Sequence, residues 1–139
     1  MQVHNPISAW RKYAQRYTLQ GVKCVECGKS YYPSKHLCKC GSVEFTELKL
    51  SGHGKLLTFT KLHAASEGFA SDGDYCLGII QLDEGPRIMA QLAEVDFEKL
   101  HIGMIVLAVF RKYFVADEKD IIHYGLKFVP TQASAGRPA

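Results

Sequence analysis

Between Lys55 and Phe128 short aliphatic or aromatic runs alternate with polar breaks, a pattern that predicts strands rather than helices. The runs are Lys55 to His63, Tyr75 to Leu82, Arg87 to Ala93, Ile105 to Tyr113 and Ile121 to Phe128. Turn chemistry separates them: Asp72-Gly73-Asp74 precedes the second, Asp83-Glu84-Gly85-Pro86 closes a hairpin into the third, and Gly103 precedes the fourth. Gly52 and Gly54 flank His53 where the first run begins, which suits the sharp bend that lets a small sheet curve round on itself. Val95 to Leu100 reads as one helical turn between the third and fourth strands. Five strands with that insertion suit a small closed Greek-key barrel of the OB type.

Upstream the pattern changes. Ile7, Trp10, Ala14 and Tyr17 fall on one helical face, Asn5 is a good N-cap and Pro6 suits the first helical position, so a helix is expected over residues 5–18, ending near Gly21. Trp10, Tyr13 and Tyr17 make it aromatic, and with little core nearby those rings are candidates for partner binding. Residues 22–47 carry no periodic apolar face, only cysteines, glycines and turn formers around Tyr31-Tyr32-Pro33, and such a segment does not fold by burial alone. The expected organisation is a helix (1–21), a metal-stapled ribbon (22–48), a barrel (49–130) and a small polar tail (131–139) expected to be disordered.

The cysteines supply what burial does not. Cys24-Val25-Glu26-Cys27-Gly28 has the spacing with which one tight turn presents two thiolates to a tetrahedral ion. Cys38-Lys39-Cys40-Gly41 follows across a short hairpin, and together the pairs predict a four-thiolate structural site, with zinc ahead of iron as its occupant. The second pair has one intervening residue instead of two, which leaves His36 open as a substitute for one sulfur. Cys76, in a strand-like run without a partner at ligand spacing, reads as a buried structural thiol, and no histidine spacing places a base beside it as a nucleophile would need.

Composition narrows the classes. The chain has 139 residues, 47% hydrophobic and 22% charged, as in an ordinary globular protein. No apolar run reaches the roughly 20 residues of a membrane helix, and Met1-Gln2-Val3-His4 lacks the pattern of a signal peptide, so a cytoplasmic protein with reduced thiols is expected. Asp72, Asp74 and Asp83 do not fit a calcium loop, and no phosphate loop, serine elbow or histidine-glutamate zinc motif appears. A net charge of +3 spread along the chain does not itself indicate nucleic acid. Phe59, Tyr75, Tyr113, Phe114, Tyr124, Arg111, Lys112 and Lys127 nevertheless keep a single-stranded nucleic-acid module as the alternative, and Arg111-Lys112 could meet the phosphates of a smaller ligand.

Cys24-x-x-Cys27-Gly28, Tyr32-Pro33, Cys38-x-Cys40-Gly41-Ser42, Leu50-Ser51-Gly52-His53-Gly54-Lys55 and Leu82-Asp83-Glu84-Gly85-Pro86-Arg87 occur in an order that resembles the acyl-CoA-associated family joining a rubredoxin-like zinc ribbon to an OB-fold, long catalogued as a domain of unknown function. The resemblance runs from about Ala9 to Pro130 and includes Ile102-Gly103-Met104 and Tyr124-Gly125-Leu126-Lys127-Phe128. Gly85 to Leu92 and Phe110-Arg111-Lys112-Tyr113 look like its archaeal branch, whose members accompany acetoacetyl-CoA thiolase and hydroxymethylglutaryl-CoA synthase at the start of the mevalonate pathway. The resemblance implies a non-catalytic scaffold with one structural zinc ion (Zn2+) on Cys24, Cys27, Cys38 and Cys40, bridging the two enzymes in a hetero-oligomer so that acetoacetyl-CoA passes between them. Trp10, Tyr13, Tyr17, Arg111 and Lys112 are the candidate partner contacts by residue type, and contact with CoA itself is left open.

Overall fold

The computed structural model describes residues 6–63, 73–115 and 122–131. Asn5, Asp72, Ile121 and the tail beyond Thr131 lie outside the described residues. The fold is mainly β. A small antiparallel sheet of order β2-β1-β3 joins β1 (Gln20–Cys24), β2 (Ser30–Tyr31) and β3 (Phe45–Lys49). The remaining strands are β4 (His53–Leu62), β5 (Tyr75–Leu82), β6 (Arg87–Leu92), β7 (Ile105–Val115) and β8 (Ile122–Pro130), which close into a barrel of order β4-β5-β6-β8-β7. That order, with a 3-10 turn at Phe97–Lys99 before β7, is the OB-fold.

The barrel closes because one side of each strand is apolar. Burial alternates along β5, and Leu56, Ile80, Leu82, Val106 and Phe128 are almost wholly excluded from solvent. The β6–β8 seam is narrow: a single parallel pair, Leu92 with Phe128, extended by the bond from the Ala93 N–H to the Phe128 carbonyl (2.8 Å). Glycine permits the approach of β4 to β5, since a Cβ on Gly54 would stand 2.6 Å from Ile80 Cγ2 and 2.8 Å from the Gln81 carbonyl oxygen.

A continuous N-terminal helix is not formed, which corrects the expectation over residues 5–18. Two six-residue segments take its place, α1 (Pro6–Arg11) and α2 (Tyr13–Thr18), parted at Lys12, which has φ −94° and ψ 4° and no side-chain cap. The reason is packing. Ile7 and Trp10, which should have formed the inner face of α1, are exposed, so the first turns lack the buried face that would hold them in register with the second, and helices this short are marginal alone. Leu19 then adopts φ 47° and turns the chain directly into β1, so that Gly21 lies within a strand and does not end a helix.

The small sheet and the barrel share one hydrophobic cluster: Leu19 and Leu50 belong to the same core as Leu56, Ile80, Leu92 and Phe128, with Tyr32 and Leu48 packed against it. The Leu50 N–H bonds the Leu19 carbonyl (3.1 Å), and the Ala108 N–H bonds the Gly52 carbonyl (2.9 Å). Gly52 has φ +82°, and a Cβ there would meet Ala108 Cβ at 2.9 Å.

A polar clamp fixes the same corner. The Ser51 N–H donates to Glu84 Oε1 (2.7 Å), and the His53 N–H donates to Ser51 Oγ (3.3 Å). Burial works against the Glu84 carboxylate, but the Ser51 bonds outweigh it and bring the group below its ordinary 4.5. A folded-state value below the unfolded one adds stability that is present above about pH 4.5 and is lost as pH falls through the lowered value. Glu84→Gln should therefore lower the thermal midpoint at neutral pH, and the gap to the parent chain should close as melting is followed into acid.

Candidate metal centre and an exposed aromatic ladder

Two short loops present the cysteines. In the first, the Gly28 N–H returns to the Cys24 carbonyl (3.1 Å) and the Cys24 N–H bonds the Lys29 carbonyl (2.9 Å), with Gly28 at φ 69°. In the second, the Gly41 N–H returns to the Cys38 carbonyl (3.0 Å) and the Cys38 N–H bonds the Ser42 carbonyl (2.9 Å), with Gly41 at φ 92°. The loops differ by one residue in the span of the closing bond, which is how Cys38-x-Cys40 wraps as tightly as Cys24-x-x-Cys27. Left-handed glycine is what lets each chain reverse so close to a sulfur.

All four Sγ atoms lie within 4.8 Å of one another, with Cys24 to Cys40 at 3.7 Å and Cys27 to Cys38 at 3.3 Å. A tetrahedron of sulfurs about 2.3 Å from a zinc ion has edges of about 3.8 Å, so the four thiols fit a metal ion of that size. His36 is exposed and lies outside this group. Cys24 and Cys38 are buried, while Cys27 and Cys40 reach the surface.

Electrostatics at the cluster favour a cation. The Cys40 backbone N–H, then the Tyr31 hydroxyl, hold Cys38 down at about 6. The Ser42 amide pulls Cys40 the same way, but the sulfurs of Cys38, Cys24 and Cys27 and burial outweigh it and push Cys40 up to about 12. Four thiolates this close repel one another unless positive charge sits among them. Tyr31 contributes a feature the spacing of cysteines did not disclose: its hydroxyl lies 3.3 Å from Cys38 Sγ, with the ring edge-on to Phe45 and Lys35 Nζ 5.1 Å above it.

The aromatic candidates fall into two groups. Trp10 stacks on Tyr13 (centroids 5.8 Å), Tyr13 meets Tyr17 edge-on (5.0 Å), Tyr17 meets Phe110 edge-on (5.3 Å), and Phe110 stacks on Tyr124 (5.4 Å). This ladder runs from α1 across α2 onto β7 and β8, and Trp10, Tyr13, Phe110 and Tyr124 are exposed along it. Phe110 was not singled out in the sequence, because only the register of β7 against β8 brings it beside Tyr124. Phe59, by contrast, packs on the core and on Phe97, and the Tyr113 hydroxyl donates to the Leu126 carbonyl (2.9 Å). Lys112 lies exposed opposite Tyr124, whereas Arg111 is held by Glu94 (2.7 Å). The side chain of Phe114 lies outside the described residues.

A cavity of about 710 Å³ opens between β4, β5, β6 and the 3-10 turn, with Cys76, Gln91, Phe97 and Lys127 among its lining. Burial raises the Cys76 thiol, and no histidine is among the described residues that line the cavity. A thiol so placed is held in its unreactive form.

A family profile described as the C-terminal OB-fold domain of ChsH2 matches residues 47–111. The chain is 41% identical over 128 residues to a DUF35 domain-containing scaffold protein of Methanocaldococcus jannaschii, an alignment covering 91% of each chain. The chain belongs to the DUF35 family. This DUF35 chain is also 33% identical over 79 residues to the benzoylsuccinyl-CoA thiolase subunit BbsA of Geobacter metallireducens, covering 56% of this chain and 53% of that one. Its fold is similar to that of a chain in the solved Ltp2-ChsH2(DUF35) aldolase, with a TM-score of 0.68 at 22% identity over 94% of this chain and 98% of that one.

Two outcomes follow for this DUF35 protein. Loss of the Tyr31 hydrogen bond in Tyr31→Phe should speed transfer of bound metal to a competing chelator by roughly tenfold, while His36→Ala should leave it unchanged; the reverse ranking would return His36 to the ligand set. After chelation, iodoacetamide should modify Cys38, the thiol held down at about 6, ahead of Cys40, the thiol pushed up to about 12, and Cys76 only once the barrel is unfolded, as read by mass spectrometry.

Proposed function

We propose that the protein is a non-catalytic adaptor that bridges acetoacetyl-CoA thiolase and hydroxymethylglutaryl-CoA synthase, so that acetoacetyl-CoA passes from one to the other in the mevalonate pathway. The observation that carries this reading is the similarity, over 91% of the chain, to a protein named for scaffolding. The partial similarity to a thiolase subunit supports an acyl-CoA enzyme as the class of partner.

The molecule's surface suits the role. A bridge needs two faces, and exposed apolar residues occur on two walls of the barrel: the ring ladder at β7 and β8, and the cross-strand pair Ile79 and Met89 on β5 and β6. The ordinary chemistry of catalysis is not assembled around Cys76, whose thiol is buried and raised.

Zinc is the proposed occupant of the cysteine cluster, held by Cys24, Cys27, Cys38 and Cys40 in a ribbon over residues 22–48 beside a barrel domain over 49–130. When bound it supplies a cross-link between two loops and no reaction chemistry. The cysteines hold the ends of β1 and the turn before β3 together, and the shared core passes that rigidity to the barrel.

Mixing the purified chain with purified acetoacetyl-CoA thiolase and hydroxymethylglutaryl-CoA synthase should give one ternary complex by size exclusion, with stoichiometric zinc by elemental analysis. The two enzymes should not associate without the chain, and the chain alone should not turn over acetoacetyl-CoA. Separate elution of all three sinks the reading. Turnover by the isolated chain that disappears in Cys76→Ala would replace it with an enzyme.

A further inference from the structure

Among the described residues, the exposed charges on the ladder's elements are of one sign. α1, α2, β7 and β8 contain no aspartate or glutamate, while Arg11 on α1, Lys12 between the two helices and Lys112 on β7 are all exposed. Arg11 and Lys12 lie between Trp10 and Tyr13 in the chain, and Lys112 is paired across the sheet with Tyr124. Arg111 is ion-paired with Glu94, and alternation sends it to the opposite face of β7 from Phe110 and Lys112. The acidic residues between β7 and β8 lie outside the described residues.

Five linked rings are a costly surface to leave in water. Trp10, at 76% exposure, is the only tryptophan of the chain and stands at the ladder's outer end. An aromatic side chain buries on the order of 150–250 Å² when covered, so the ladder supplies a large part of the roughly 800 Å² that each side of a standard interface contributes. Rings already stacked on their neighbours are also pre-ordered, so docking on them loses little side-chain freedom.

We propose that the ladder Trp10, Tyr13, Tyr17, Phe110 and Tyr124 is the docking surface for a folded protein face that is apolar at its centre and rimmed by carboxylates, presented by one of the two acyl-CoA enzymes. The identity of that enzyme rests on the adaptor reading above; the chemistry of the face rests on the rings and their cations. A second copy of this chain is disfavoured, because a two-fold contact would bring Arg11, Lys12 and Lys112 against themselves. Single-stranded nucleic acid is disfavoured because base stacking needs open ring faces, and Phe110 and Tyr124 lie 7° from parallel against each other.

The lone tryptophan makes the test direct. The full chain, labelled with 5-fluorotryptophan, gives one fluorine resonance, to be followed as unlabelled acetoacetyl-CoA thiolase or hydroxymethylglutaryl-CoA synthase is added. The resonance should shift or broaden with one of them. Phe110→Ala should weaken that binding by roughly tenfold or more, Lys112→Glu should weaken it most at low salt, and Ile102→Ala, more exposed than Phe110 but off the ladder, should not change it. Circular dichroism and metal content confirm that each variant is folded. Enzyme binding that leaves the resonance and the Phe110→Ala affinity untouched overturns the inference while the adaptor reading stands. No binding to either enzyme overturns both. A resonance that responds to single-stranded oligothymidylate and to neither enzyme, or self-association abolished by Phe110→Ala, also overturns it.

Discussion

Four sulfurs drawn within 4.8 Å of one another are the constraint on which the rest of the molecule depends. The segment that carries them has only short strands, one of two residues, and its loops place exposed Val25, Leu37 and Val43 in water. Burial does not hold such a segment. A cation among the convergent thiols would relieve their mutual repulsion and cross-link the two loops, adding to the little core that the segment shares with the barrel. Backbone geometry is already arranged for it: each loop closes on its own first cysteine through the N–H of a left-handed glycine.

The consequence of the cluster reaches beyond its own sheet because Leu19 and Leu50, which enclose the sheet at either end of the chain's path through it, sit in the barrel's core. Gly52 makes that junction tight. Its positive φ turns the chain from β3 into β4, its carbonyl pairs with β7 and the absence of a Cβ leaves room for Ala108. The Ser51 and Glu84 clamp adds a polar tie from the same corner to the β5–β6 hairpin. A rotation of the small sheet against the barrel would have to break all of these together, so the described residues form one unit with a shared core.

Much of this was legible because it depends on local pattern. Strand positions followed from alternation, the β5–β6 hairpin from Glu84-Gly85-Pro86, the start of β7 from Gly103, and the sulfur cluster from two Cys-Gly pairs across a short hairpin. The helix was misjudged for a physical reason: periodicity in residues 5–18 counts apolar positions but does not say whether they are covered, and Ile7 and Trp10 are exposed. The closed ladder was equally out of reach. Tyr17 and Phe110 are far apart in sequence, and Phe110 meets Tyr124 only because of the β7–β8 register. Tyr31 beside Cys38 is a similar case, since the hydroxyl reaches the sulfur across the β1–β2 turn and the second loop, where no spacing rule applies.

The misjudged helix and the exposed ladder have a common cause. The break at Lys12 lets α2 pack on β1 and β8 while α1 carries Trp10 outward. Tyr17 fixes the inner end of the row against Phe110 on a rigid strand, so the outer rings are held at an edge of the barrel and not on a free tail. Exposed aromatics oppose solubility unless charge accompanies them, and among the described residues of the ladder's elements the exposed charge is basic. That combination bears on the proposed complex: carboxylates on the covering face would pair with the cations, which would otherwise lose water without gaining partners.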